Sequence, residues 1–80
     1  MTELTMTELA VRVWEYVGTD PRTEDEIASM LVRQGTDPDV ASRFTEWCAG
    51  RGYIRISPGT EKEVRWMPGK HPQDPQEAER

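Results

Sequence analysis

Side chains able to do acid–base, nucleophilic or metal chemistry are few and poorly placed for it. Glu24, Asp25 and Glu26 are consecutive, and neighbouring carboxylates can divide the roles of general acid and base. Three acids directly after Thr23 are better explained as stabilising the positive end of a helix dipole. Cys48, the single cysteine, stands four residues after Phe44 on the inward stripe of a helical pattern, where a packing thiol is favoured over a reactive one. His71, the single histidine, falls in a proline-rich stretch with no cysteine or second histidine at metal-ligand spacing, so neither a zinc site nor a serine–histidine–acid set is expected. "PGTEKE" has one glycine and no helix after it, which rules it out as a phosphate loop. The chain is read as not being an enzyme, with no metal and no cofactor.

Composition narrows the remaining classes. Eighty residues make one domain with a modest core, too small for a long parallel sheet or a deep catalytic cleft. One cysteine allows no internal disulfide, and no leader-like or long apolar run is present, so a cytoplasmic location with no membrane span is expected. The formal charge is −5, which on its own disfavours a polyanionic partner. The charge is unevenly spread: residues 1–35 carry seven acids and three bases, residues 36–70 five acids and six bases, and residues 71–80 three acids and one base. Only the middle segment is not acidic, as expected where one face meets phosphate and the rest is solvated.

The elements that would position these charges can be read from periodicity and caps. Met6, Leu9, Ala10, Val13, Trp14 and Val17 alternate by three and four, the pattern of an amphipathic helix, with Thr5 and Glu8 at capping-box spacing and Gly18 and Asp20-Pro21 as its stop. A second helix is expected from Thr23, capped with Glu26, to about Gln34, its apolar side being Ile27, Ala28, Met30 and Leu31, and Gly35 its left-handed end. A third begins at Asp37-Pro38, turns Val40, Phe44 and Cys48 inward with Trp47 at the border, and ends at Gly50 or Gly52. "YIRIS" and "EVRWM" then alternate about the turn-like "PGTEK", with Ile54 and Ile56 on one face and Val64 and Trp66 on one face, which reads as a β-hairpin. The fold class is mostly α with a small hairpin, α+β. From Pro68 prolines and polar residues dominate, and residues 68–80 are expected to be a disordered tail after a domain spanning 1–67.

This order resembles the winged helix-turn-helix superfamily, in particular its small MarR-type regulators. "TEDEIASML" corresponds to the scaffold helix, "VASRFTEWCAGRGYI" to the recognition-like helix with its exit, and "RISPGTEKEVRWM" to the wing. The resemblance covers roughly residues 6–67. It differs in the long acidic connection "RQGTDPD" and in the absence of a basic excess on the third helix. It implies a DNA-binding regulator whose third helix enters the major groove and whose wing approaches phosphates. The residues it points to are Asp39, Ser42, Arg43 and Glu46 on the helix, and Arg55, Lys62 and Arg65 on the hairpin. Arg43 is the candidate for a base edge, because a guanidinium can bond guanine in two places; the alternative is a surface arginine paired with Asp39 or Glu46.

The implied partner is double-stranded DNA, engaged by a homodimer because one short helix spans too few base pairs to select a site. The competing reading is a winged-helix module that binds a protein, as a subunit or inhibitor of a larger complex, with Trp47 and Trp66 as interface residues in place of core ones.

Overall fold

The computed structural model describes residues 5–59 and 62–73. It contains helices α1 (Met6–Thr19), α2 (Glu24–Arg33) and α3 (Pro38–Gly50), then strands β1 (Ile54–Ile56) and β2 (Trp66–Pro68), which pair antiparallel. The fold is α+β, three helices followed by a two-stranded sheet.

Both predicted capping boxes form. The Thr5 and Thr23 hydroxyls accept from the amides of Glu8 and Glu26, whose carboxylates accept in return from the amides of Thr5 and Thr23. Asp37 caps α3 through the amide of Asp39, with Pro38 in the first turn. Two helix ends close alike. At α2, Gly35 (φ 94°) donates to Val32 and Thr36 to Leu31; at α3, Gly52 (φ 81°) donates to Ala49 and Tyr53 to Cys48. This paired-bond closure needs a left-handed residue, hence glycine. It settles the end of α3 in favour of Gly52 as the left-handed residue.

The core is one cluster: Leu9, Ala10, Val13 and Val17 from α1, Ile27, Met30 and Leu31 from α2, Ala41, Phe44 and Cys48 from α3, and Ile54 from β1. Several positions depart from the expected pattern. Val40 is 42% exposed, because the buried stripe of α3 is centred on Ala41, Phe44, Thr45 and Cys48, which at about 100° per residue leaves position 40 outside it. Met6 is also exposed, lying before the first full turn that packs. Thr45 is fully buried, with no hydrogen-bond partner for its hydroxyl among the described residues, an inward position that its polarity concealed.

The second strand is shifted C-terminally: "EVRWM" is a strand only from Trp66, and the pairing extends beyond Pro68. Register Ile54↔Pro68, Arg55↔Met67 and Ile56↔Trp66 is continued at one end by Ser57 donating to Arg65, and at the other by Gly69 donating to Tyr53 and Lys70 to Gly52. Residues 65 and 69 thus bond toward β1, whereas Trp66 bonds away from it, exchanging both backbone bonds with Arg22 in an isolated bridge. Residue 68 has the parity of 66, so the missing amide of Pro68 costs the β1–β2 ladder nothing.

The expected tail boundary at Pro68 is therefore corrected. Gly69 lies so close to Gly52 that a Cβ would meet the Gly52 carbonyl oxygen at 2.3 Å. Its own carbonyl accepts from Trp14 Nε1 at 3.1 Å, and His71 packs edge-on against the Trp14 ring. Residues 68–73 are docked on α1 and the end of α3, and the rest of the expected tail, 74–80, lies outside the described residues.

Candidate functional site

The outward half of α3 is divided lengthwise. Asp39, Ser42 and Glu46 occupy one flank; Val40, Arg43 and Trp47 occupy the other, Arg43 and Trp47 being four apart and Arg51 four further on. The Ser42 hydroxyl donates to the Asp39 carbonyl, a local bond that leaves its oxygen lone pairs facing solvent. Arg43 and Glu46 are exposed, and among the described residues no ion pair joins Arg43 to Asp39 or Glu46.

On the hairpin, Arg55 is exposed at the centre of β1, opposite Met67, and Lys62 is exposed near the turn. Arg65 is engaged within the molecule. Its Nη1 donates to the Pro21 carbonyl at 3.1 Å and to Glu26 Oε1 at 3.3 Å, and its Nη2 to Glu63 Oε2 at 3.0 Å. Glu26 is the carboxylate of the second capping box, so Arg65 fastens the start of β2 to the start of α2. The amide of Thr23 holds the Glu26 carboxyl below its usual range, and Arg65 acts in the same direction against desolvation.

The tryptophans close the core from the side. Trp66 is partly buried against it and Trp47 stacks on Phe44 with ring centroids 5.2 Å apart. Trp47 also meets Tyr53 edge-on at 5.9 Å, and the Arg51 guanidinium lies 4.6 Å over its ring. Lys70 sits 6.0 Å over the Tyr53 ring. This cluster of Arg51, Tyr53 and Lys70 at the hairpin root was not singled out from the sequence. The alternation of cation and aromatic in "WCAGRGYIR" was its only signal, and Lys70 lay in the segment read as tail.

Cys48 is buried, and desolvation pushes its thiol up to about 12, the behaviour of a packing residue. Two open surface grooves are lined by Glu8, Val11, Arg12, Glu15 and Gln73, and by Tyr16, Asp25, Glu26, Ser29 and Arg33. Neither contains Cys48 or His71, and no described helix is long and apolar enough to cross a membrane. Comparison with protein-family models, curated proteins and solved structures finds no match.

Proposed function

We propose that the chain is a small winged helix-turn-helix protein that binds duplex DNA, with the outer face of α3 toward the major groove and the hairpin beside it against phosphates. The observation that carries this reading is the split of α3: its inner stripe is fully buried while Ser42, Arg43 and Glu46 project together into solvent, with the exposed cations Arg55 and Lys62 on the following hairpin. A helix held by one face with its polar face free is the geometry that major-groove reading requires. Arg43, with no ion pair among the described residues, takes the base edge. Arg65 positions the hairpin through its bonds to Glu26 and Pro21. Two copies act together, since one helix of this length covers too little sequence.

A second reading, a protein-binding module, is favoured by a different observation: Ile56 and Val64 are 57% and 49% exposed. The two readings separate on one measurement, binding of the full chain to a random pool of labelled duplexes across a salt series. Association that weakens steeply with salt is expected for DNA. No salt-sensitive association at low ionic strength would remove the DNA reading.

A further inference from the structure

The outermost line of α3 carries two acids, and they have different standing in the fold. The buried residues Ala41, Phe44, Thr45 and Cys48 fix the direction of the core. At about 100° per residue, the line opposite them runs midway between Arg43 and Glu46, about 30° from each, with Asp39 and Gly50 almost on it. Val40, Ser42 and Trp47 lie roughly 70–90° away, toward the flanks. Asp39, Arg43 and Glu46 are exposed, and no described atom lies within 4 Å of where a Gly50 Cβ would stand. Asp39 belongs to the first turn, where a carboxylate is stabilised by the positive end of the helix dipole. Glu46 stands in the C-terminal half of α3, where the dipole gives an acid no help. Among the described residues neither Glu46 nor Arg43 takes part in an ion pair, although their three-residue spacing would allow one. Packing, capping and pairing therefore give Glu46 no task within the described fold.

We infer that Glu46 is a specificity-determining residue of the α3 face: its carboxylate accepts from the N4 amino group of a cytosine in the major groove, at the base pair next to the guanine that Arg43 bonds. It rests on the DNA-binding reading and names the base chemistry that reading selects. The choice of base follows from hydrogen-bonding capacity. An ionised carboxylate only accepts. In the major groove guanine presents two acceptors, thymine an acceptor and a methyl group, and adenine an acceptor beside its amino group, whereas cytosine presents an amino donor alone. Cytosine is therefore the base edge that attracts Glu46 without also repelling it. The choice of neighbour follows from distance. Arg43 and Glu46 are separated by about 4.5 Å of helix rise, a little more than the roughly 3.4 Å between successive nucleotides of one DNA strand. The same carboxylate is repelled by phosphates, so on a duplex that lacks the cytosine it lowers affinity, and discrimination is gained from repulsion as well as from contact. An acid on the reading face of an acidic chain thus serves selectivity at the expense of non-specific binding.

The test uses the full chain, selection of bound duplexes from a random-sequence pool, and anisotropy with labelled duplexes. The wild type is expected to enrich a guanine with a cytosine at the neighbouring pair. Glu46→Gln is expected to keep the guanine but to exchange the cytosine for adenine, which a glutamine amide bonds in two places. It should also bind an unselected duplex more tightly at low salt, because a charge facing phosphates is gone, and lower the ratio of selected to unselected affinity for the wild-type sequence about tenfold. Glu15→Gln, which removes the same charge from the exposed side of α1, is expected to leave the selected bases unchanged, and both variants should keep the wild-type thermal midpoint. If the wild type binds duplex but Glu46→Gln selects the same bases with the same ratio, the cytosine contact is overturned while the DNA-binding reading stands. An equal shift of base preference in Glu15→Gln overturns it as well, since the effect would then belong to net charge. If the wild type does not bind duplex, that reading falls and takes this one with it.

Discussion

The root and the tip of the hairpin belong to the same pair of strands and share one apolar face, yet they are held by opposite means. At the root, Ile54 is 2% exposed, Gly69 touches Gly52, Trp14 bonds the Gly69 carbonyl, and Phe44, Trp47 and Tyr53 form a continuous aromatic contact from α3 to β1. Toward the tip, Ile56 and Val64 stand on the face that Ile54 and Trp66 bury, but the helices no longer cover them. What fastens the intermediate part is polar: the Arg22–Trp66 bridge and the bonds from Arg65 to Pro21, Glu26 and Glu63. The strand pattern is uniform; the support beneath it is not. An element of this kind is anchored at its base and free to present its end.

Removing the base should have the largest effect. Phe44→Ala takes away a fully buried ring that packs against Trp47 and is expected to cost about 3–5 kcal/mol, the range for a truncated core aromatic. Urea unfolding measures it, and a loss below about 1 kcal/mol would contradict the assigned packing of α3.

Two glycines then sharpen the contrast. Gly69→Ala at the root pushes a methyl group against the rigid Gly52 carbonyl, so a loss toward the upper end of the roughly 1–3 kcal/mol typical of overpacking is expected. Gly59→Ala near the tip meets nothing within 4 Å and bears only the strain of φ 80°, about 1 kcal/mol. Equal losses in the two variants would remove the distinction between root and tip.

Trp14→Phe keeps a ring in place but deletes the donor to Gly69. It is expected to cost about 1 kcal/mol, the usual net value of one such bond, and to leave α1 itself helical by circular dichroism. No change in stability would mean that α1 does not hold the strand end through this bond.

The polar fastening should respond to pH. The Glu8 and Glu26 carboxyls are both held below their ordinary value, first by the backbone amides of Thr5 and Thr23. A lowered folded-state pKa contributes stability that is present above the ordinary carboxyl value and lost as pH falls through the folded one. Thermal midpoints should therefore drop on acidification below about 4.5, and Glu26→Gln should reduce that drop. An unchanged acid limb in Glu26→Gln would show that this carboxylate does not couple hairpin and α2.

Helices and caps were legible in the sequence because their causes are local. A threonine three residues before a glutamate and a glycine at a left-handed end act within a single turn, so Thr5, Thr23, Asp37 and Gly35 could be placed without tertiary information. The hairpin was legible only as an alternation. Its register depends on Arg22 and Trp14, 44 and 55 residues distant from their partners Trp66 and Gly69, and nothing near "MPGK" reports them. Pro68 and Gly69 open the proline-rich, polar stretch whose composition reads as a tail. Here the proline's missing amide points away from β1 and the glycine is needed for close approach to Gly52. Among the candidate site residues, Ser42, Arg43 and Glu46 came from the resemblance, and elimination of the buried stripe agreed that they face outward, a rule that misplaced Val40 at its edge. That Arg65 is tied to Glu26 depends on contact across 39 residues, which spacing could not show.

The smallest stability effect belongs at the tip, where it also separates the two functional readings. Ile56→Ser with Val64→Ser removes apolar groups that are already about half in water, so folding stability should change by no more than about 0.5 kcal/mol, as for surface substitutions generally. If the hairpin end meets DNA phosphates, affinity for a random duplex and its salt slope should also be nearly unchanged, since neither side chain carries charge. If the exposed pair is the centre of a protein contact, the double variant should lose that association while Arg43→Ala and Lys62→Ala retain it. Arg43→Ala provides the opposite control, with a loss of roughly 1–3 kcal/mol and relaxed sequence preference if its guanidinium bonds a guanine edge. A duplex-binding loss in the tip variant as large as that of Arg43→Ala would show that the apolar end is part of the DNA surface. The division between an anchored root and a tip whose apolar pair takes no part in DNA binding would then have to be redrawn.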